Sequence, residues 1–70
     1  MKCVGVKQVL KSIKENKVKK VYVAKDAEGH ITEEIINISS EKNIPIVYVE
    51  TMTELGKMSG IDVGASCMAE

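Results

Sequence analysis

Segments with helical periodicity alternate along this chain with short runs of branched apolar residues, and this alternation most constrains the fold. Val6, Leu10 and Ile13 recur at helical spacing with Val9 beside them, which predicts a first helix over residues 5–16. The runs that follow are too short for helices and rich in Val, Ile and Tyr. Helices that alternate with strands predict an α/β layered domain.

Two of these runs predict strands. Residues 20–24 contain the β-branched and aromatic run Val21, Tyr22 and Val23. Residues 46–49 are apolar throughout, as expected for a strand that is covered on both faces. A second helix is predicted over residues 32–42 between them, with Thr32 as its N-cap. Its length suits the crossover that parallel strands require. A last, small apolar strand is predicted over residues 65–69.

The helix ends carry recognisable signals. Asn16 and Asn43 are suited to the left-handed conformation that ends a helix, and we expect them to end the first and second helices. Thr51 and Glu54 form a capping box that starts a third helix near residue 52, and Gly60 ends it. The residues expected to face the core from the second and third helices are Ile35, Ile36, Ile38, Leu55 and Met58.

Length and composition limit the classes of protein that remain. Seventy residues make one domain, residues 1–70, and we expect a three-layer α-β-α sandwich around a small central mixed sheet. There is no Phe or Trp and there are only two Tyr, which argues against aromatic platforms that stack single-stranded bases. Two cysteines, no signal peptide and no long apolar run predict a cytoplasmic protein with free thiols and no membrane span.

The charge is divided unevenly although it sums to zero. Residues 1–20 hold seven lysines against one acid, and residues 21–70 hold three lysines against nine acids. Such asymmetry suggests an anionic partner for the first part of the chain. A solvated lysine surface is an equally weighted alternative on charge alone.

The start of the first helix is the most informative place. Lys7, Lys11 and Lys14 fall on one face of it, where lysines near the helix start oppose the helix dipole. An anion docked there would reverse that effect, because free backbone N–H groups and Lys7 could bind it together. Gly5 would let a partner approach the backbone closely. The alternative is an ordinary solvated helix face.

The loop from Ile61 to Ala65 also has two interpretations. Ile61 and Val63 could form an apolar lip against an unstacked nucleotide, or they could fill the core beneath a helix end. The second is the commoner outcome for apolar residues, and the residues alone favour it.

Catalysis and metal binding have little support in the sequence. His30 is expected in a turn and has no neighbouring ligands for a metal. Cys3 has no histidine base beside it, and Cys67 falls in a buried strand. We therefore expect no enzyme activity, no metal and no cofactor.

Four stretches resemble the kink-turn RNA-binding ribosomal protein family, in particular its small bacterial members. They are GVKQVLK at residues 5–11, VYVAKD at 21–26, KNIPIVYV at 42–49 and LGKMSGIDVGAS at 55–66. The likeness covers roughly residues 5–68 in one order. It implies a non-catalytic protein that recognises and stabilises kinked RNA with sheared G·A pairs, associated with the ribosome or a related ribonucleoprotein or with a riboswitch.

The resemblance also implies roles for individual residues. Gly5 would frame the helix start that enters the RNA, Lys7 and Gln8 would read guanine edges, and Lys11 would contact the same region, with Lys14 on the same face. The loop that would cover the protruding nucleotide consists of Ile61, Asp62, Val63 and Gly64. A kink opens the otherwise inaccessible major groove of A-form RNA to such a helix end.

The chain departs from the family pattern in three respects. Archaeal members have Asn and Glu where this chain has Lys7 and Gln8, which replaces a carboxylate acceptor by an amide. The family's opening helix is missing before the signature, and the last residues are more polar than the usual strand. Two alternatives stay open: a domain truncated at both ends, or a homo-oligomer that covers the exposed flank. A protein-interaction module without specific RNA binding is the alternative function.

Overall fold

The computed structural model describes residues 3–61 and 63–70. Within these residues the chain alternates strands and helices, as the sequence predicts, but it begins with a two-residue strand that was not predicted. The elements are β1 (Cys3–Val4), α1 (Val6–Lys14), β2 (Val21–Ala24), α2 (Gly29–Glu41), β3 (Ile46–Val49), α3 (Met52–Ser59) and β4 (Cys67–Ala69).

The strands form one mixed sheet in the order β1-β4-β2-β3. The strands β2 and β3 are parallel, with Val23 opposite Tyr48, and α2 is the crossover that joins them. The last strand, β4, is antiparallel to both of its neighbours, β1 and β2. The final strand of the chain therefore lies inside the sheet and separates the first two strands.

Helices cover both faces of the sheet, which confirms the predicted α-β-α sandwich. On one face α1 and α2 pack against side chains that alternate along the strands. The buried residues of that core are Val9, Ile13, Val21, Val23, Ile35, Cys67 and Ala69. On the other face α3 covers a smaller core of Ala24, Leu55, Ala65 and Met68. No helix within residues 3–61 and 63–70 combines the length and the apolarity that a membrane crossing needs.

The predicted helix ends are confirmed. Asn16 and Asn43 each adopt a φ of 58°, and Gly60 adopts a φ of 79°, so each supplies the left-handed residue that terminates a helix. At the start of α3, the hydroxyl of Thr51 accepts the backbone N–H of Glu54 at 3.1 Å.

The predicted start of the second helix is wrong. The helix α2 begins at Gly29, after Glu28, and Thr32 is buried in its first turn rather than at its N-cap. The hydroxyl of Thr32 donates to the carbonyl of Gly29 at 3.4 Å. His30, expected in a turn, lies in this first turn as well and is exposed. The added turn leaves four residues between the end of β2 and the start of α2.

The predicted burial of β3 and of Met58 is also wrong. The strand β3 lies at the edge of the sheet, with Val47 39% and Tyr48 52% exposed. Met58 is 43% exposed on α3, while Leu55 is fully buried there. An apolar run is compatible with either an inner or an edge strand, because strand order depends on the topology of the whole sheet.

Ser39 provides a test of the packing between α2 and the rest of the first core. It is fully buried, and its hydroxyl has no hydrogen-bond partner in the part of the chain that the structure describes. We expect Ser39→Ala to raise the free energy of unfolding by up to about 1 kcal/mol, because the variant removes an unsatisfied polar group and favours the helix. Urea unfolding measures the change. Thr32→Val is the matched control, since its hydroxyl is bonded, and it should lower stability by about 1 kcal/mol.

Candidate nucleic-acid interface

One edge of the sheet gathers the starts of all three helices. The strands β1, β2 and β3 run in the same direction and β4 runs against them. Each of the first three strands is followed by a helix after one, four and two residues respectively, so the starts of α1, α2 and α3 lie on the side of the sheet where β4 begins. The N–H of Gly5 donates to the carbonyl of Cys67 at 3.2 Å, and that of Ala24 donates to Ser66 at 3.0 Å. We call this side of the sheet the carboxyl edge.

Gly5 shapes the start of α1. Its φ of 96° and ψ of 152° are strained for any residue with a side chain, although a Cβ at this position would meet no atom within 4 Å. Its carbonyl accepts the N–H of Val9 at 3.0 Å. No side chain of the described residues caps the helix here, and its first turn contains no acid. Its first backbone N–H groups therefore remain available to a ligand.

Four polar side chains extend from α1 into solvent. Lys7, Gln8, Lys11 and Lys14 are exposed, while Val9 and Ile13 on the opposite face are fully buried. None of the four polar side chains forms a hydrogen bond or ion pair with the described residues. They form a cationic surface, which we call the α1 surface.

The described residues of the loop before β4 lie against α3. Gly56 is buried, and a Cβ on it would overlap the carbonyl of Val63. A Cβ on Gly64 would come within 3.2 Å of the Cβ of Met52, and the N–H of Ala65 donates to the Met52 carbonyl at 3.0 Å. The loop is thus held against the helix at both the first and the second turn, and glycine at two positions makes that approach possible.

The two apolar residues of this loop have different environments. Ile61 packs partly buried against the core beneath α3, as the interpretation favoured by its residue type predicts. Val63 is 70% exposed, so the expectation that it fills the core is wrong. Asp62, also predicted for this site, lies outside the described residues. Because the loop leads into β4, Val63 and Gly64 lie at the carboxyl edge with the start of α1.

Two residues that support this site were not predicted from the sequence. A carboxylate oxygen of Asp26 accepts the N–H of Met52 at 2.8 Å and so fixes the start of α3 to the turn after β2. The second is Gly56, whose lack of a side chain admits the loop. A glycine inside a predicted helix was the available signal for Gly56. Nothing local to Asp26 indicates that its partner is 26 residues away.

The remaining reactive groups are two cysteines and a histidine. Burial raises the pKa of the Cys67 thiol, and the half-buried sulfur of Cys3 lies 3.0 Å from the hydroxyl of Ser12. The Nε2 atom of His30 is 3.2 Å from the carboxylate of Glu28 on the exposed surface. Within residues 3–61 and 63–70 there is no group of three or more potential metal-binding side chains.

The sequence pattern of the ribosomal protein L7Ae/L30e/S12e/Gadd45 family matches residues 3–70. The chain belongs to this family. Its elements at the carboxyl edge, from Gly5 at one end of the match to the residues before β4 at the other, all fall inside the matched range.

Curated relatives agree with this membership. An RNA-binding protein of Caldanaerobacter subterraneus subsp. tengcongensis is 54% identical over 67 residues, which are 96% of this chain and 82% of that protein. An RNA-binding protein of Halalkalibacterium halodurans is 46% identical over 66 residues, covering 94% and 80%. The fold is similar to that of a 15.5kD RNA binding protein of Giardia lamblia, with a TM-score of 0.90 and 22% identity. That alignment covers 97% of this chain and 57% of the Giardia protein.

Proposed function

We propose that this protein binds RNA without catalysis, and that it recognises and stabilises a kink-turn with sheared G·A pairs. The observation that carries the proposal is the α1 surface: an uncapped helix start, flanked by Lys7, Gln8 and Lys11, none of which forms a hydrogen bond or ion pair with the described residues. The relatives at 54% and 46% identity that are named as RNA-binding proteins support it. The proposal includes a cytoplasmic location and a partner RNA in the ribosome, a related ribonucleoprotein or a riboswitch.

The chemistry of the α1 surface suits base edges in an opened major groove. A lysine ammonium can donate to the O6 and N7 acceptors of guanine, and the amide of Gln8 can donate and accept. Free N–H groups at the start of α1 add donors for a phosphate or a base. Lys11 lies one turn behind Lys7, so it can follow the same groove, and Lys14 lies at the far end of the same face. The major groove of a regular A-form helix is too deep and narrow for a helix end to enter. We therefore propose a kinked RNA as the partner.

The loop on α3 supplies the second half of the proposed contact. Val63 offers an exposed apolar surface at the carboxyl edge, where it could cover a nucleotide that protrudes from the kink. Gly64 lies against Met52 and leaves no side chain in the way of such a nucleotide. In this proposal Ile61 anchors the loop in the core. Asp62 is included as an RNA-binding residue on the sequence resemblance alone.

A protein-interaction module is the second candidate function. The exposed edge strand β3, with Val47 and Tyr48 partly in solvent, favours it because unpaired strand edges can pair with another chain. Sedimentation of the purified protein over a range of concentrations distinguishes the two: self-association supports the second candidate, and a monomer that binds RNA supports the first.

The proposed function is tested by titrating the protein with a kink-turn RNA and with a straight duplex of equal length, each at two salt concentrations. We expect the kink-turn to bind on the order of 100-fold more tightly, because two base-edge contacts of about 1–3 kcal/mol each are lost on the straight duplex. The preference should persist at the higher salt concentration, since phosphate attraction weakens in both complexes. Equal affinity for the two RNAs, with the same steep salt dependence, would show nonspecific electrostatic binding and would contradict the proposal.

A further inference from the structure

A groove adjoins the α1 surface on the side of β1. It has a volume of about 520 Å³ and is lined by Gln8 and Lys11 from α1, by Lys17 and Lys19 from the following loop, and by Glu70 after β4, among others. Gln8 and Lys11 thus belong both to the α1 surface and to this groove. A ligand that leaves the start of α1 along Lys11 enters the groove without crossing another element.

We propose that this groove holds the phosphate backbone of an RNA stem that flanks the kink, with Lys17 and Lys19 as phosphate contacts. This inference rests on the proposed function and extends its binding surface. Lys17 and Lys19 are exposed, and the backbone N–H of Lys19 donates to the carbonyl of Glu70 at 2.8 Å. That bond fixes the loop, so Lys19 projects from an ordered position.

The two carboxylates in the groove already have partners. A carboxylate oxygen of Glu15 lies 3.1 Å from the ammonium of Lys17, and Glu70 accepts the hydroxyl of Tyr22 at 2.9 Å. Three lysine side chains face these two acids in the groove, so its side chains carry a net positive charge. This sign fits an RNA backbone.

Glu15 is expected to limit the affinity of the groove. Its hydrogen bond and ion pair with Lys17 lower the pKa of the Glu15 carboxyl, so it is ionised at neutral pH and competes with phosphates for Lys17. Removal of this charge should therefore strengthen RNA binding, whereas removal of a groove lysine should weaken it.

The distances suit a flanking stem. A helix of nine residues is about 13 Å long, and one strand of a nucleic-acid duplex places several phosphates over such a length. A stem that continues from the kink at the start of α1 can therefore reach the loop at its end. A kink-turn whose stems are trimmed close to the kink cannot.

The test compares protein variants on two RNAs, a kink-turn with long stems on both sides and the same kink-turn with both stems trimmed. Lys19→Ala is preferred to Lys17→Ala, because the latter also frees Glu15. On the long RNA we expect Lys19→Ala to weaken binding by about three- to tenfold and to reduce the salt slope by about 0.7–0.9. We expect Glu15→Gln to strengthen binding by a similar factor. Lys57→Ala, which removes an exposed lysine from α3 on the other face of the sheet, is the matched control.

The outcomes separate this inference from the function on which it rests. Effects of opposite sign for the two variants, confined to the long RNA, support the groove. If the parent protein prefers the kink-turn but both variants bind the long RNA as tightly as the parent, the proposed contact of the groove with the stem is wrong and the proposed function is unaffected. An equal loss on both RNAs overturns the assignment to a flanking stem. If the parent protein shows no preference for the kink-turn, both proposals fail.

Discussion

Replacement of Lys7 and Lys11 together by alanine should weaken binding of kink-turn RNA by on the order of 100-fold and leave the fold intact. Each lysine is expected to contribute about 1–3 kcal/mol if it contacts a base edge. Both side chains are exposed and have no partner among the described residues, so their removal costs the fold little. Fluorescence anisotropy gives the affinities, and thermal unfolding shows whether the fold is retained.

The control for this double variant is again an exposed lysine elsewhere. Lys42 hydrogen-bonds through its ammonium to the side chain of Asn16 at 2.9 Å, at the far end of α2 from the carboxyl edge. Lys42→Ala removes one positive charge and should leave the preference for the kink-turn over a straight duplex unchanged. If the double variant binds kink-turn RNA as tightly as the parent protein, Lys7 and Lys11 do not belong to the binding surface.

Gly56→Ala should lower the free energy of unfolding by about 1–3 kcal/mol and weaken RNA binding as well. A methyl group on Gly56 would overlap the carbonyl of Val63, and overpacking against backbone is relieved only when the backbone moves. The loop must then leave α3, which displaces Val63 from the carboxyl edge. Urea unfolding and RNA titration of the same variant measure the two effects.

Gly29→Ala is the matched glycine control. A Cβ at this first residue of α2 would meet no atom within 4 Å, and alanine favours the helix. This variant should therefore be neutral or more stable by up to about 1 kcal/mol. The proposed role of the loop would be contradicted if Gly56→Ala lost stability but bound kink-turn RNA as tightly as the parent, once compared at equal folded concentration.

The sequence predicts correctly those features that depend on single residues or on close neighbours in the chain. The left-handed ends at Asn16, Asn43 and Gly60 depend on the residue itself, and the cap of Thr51 on Glu54 depends on residues three positions apart. The layers followed from the alternation of two periodicities. The exposed start of α1 could also be predicted, because its lysines flank an apolar stripe of helical spacing.

The rest depended on contacts between distant parts of the chain. Thr32 has the residue type of an N-cap, but α2 begins one turn earlier. The apolar run of β3 does not reveal that β4 takes the inner position beside β2. The contact of Asp26 with Met52 and that of Gly56 with Val63 join segments whose proximity is set by the sheet order. Residue type alone cannot specify such pairs.

The position of β4 between β1 and β2 makes the proposed RNA-binding surface depend on the pairing of the last strand. The α1 surface and the loop with Val63 come from opposite ends of the chain. Pairing of β4 with β1 brings the start of α1 close to the end of that loop. A chain whose last strand has detached can still carry its lysines on a helix and attract polyanions. Under the proposed function it should lose its preference for a kink-turn over a straight duplex, so that this preference would report whether β4 is paired in the sheet.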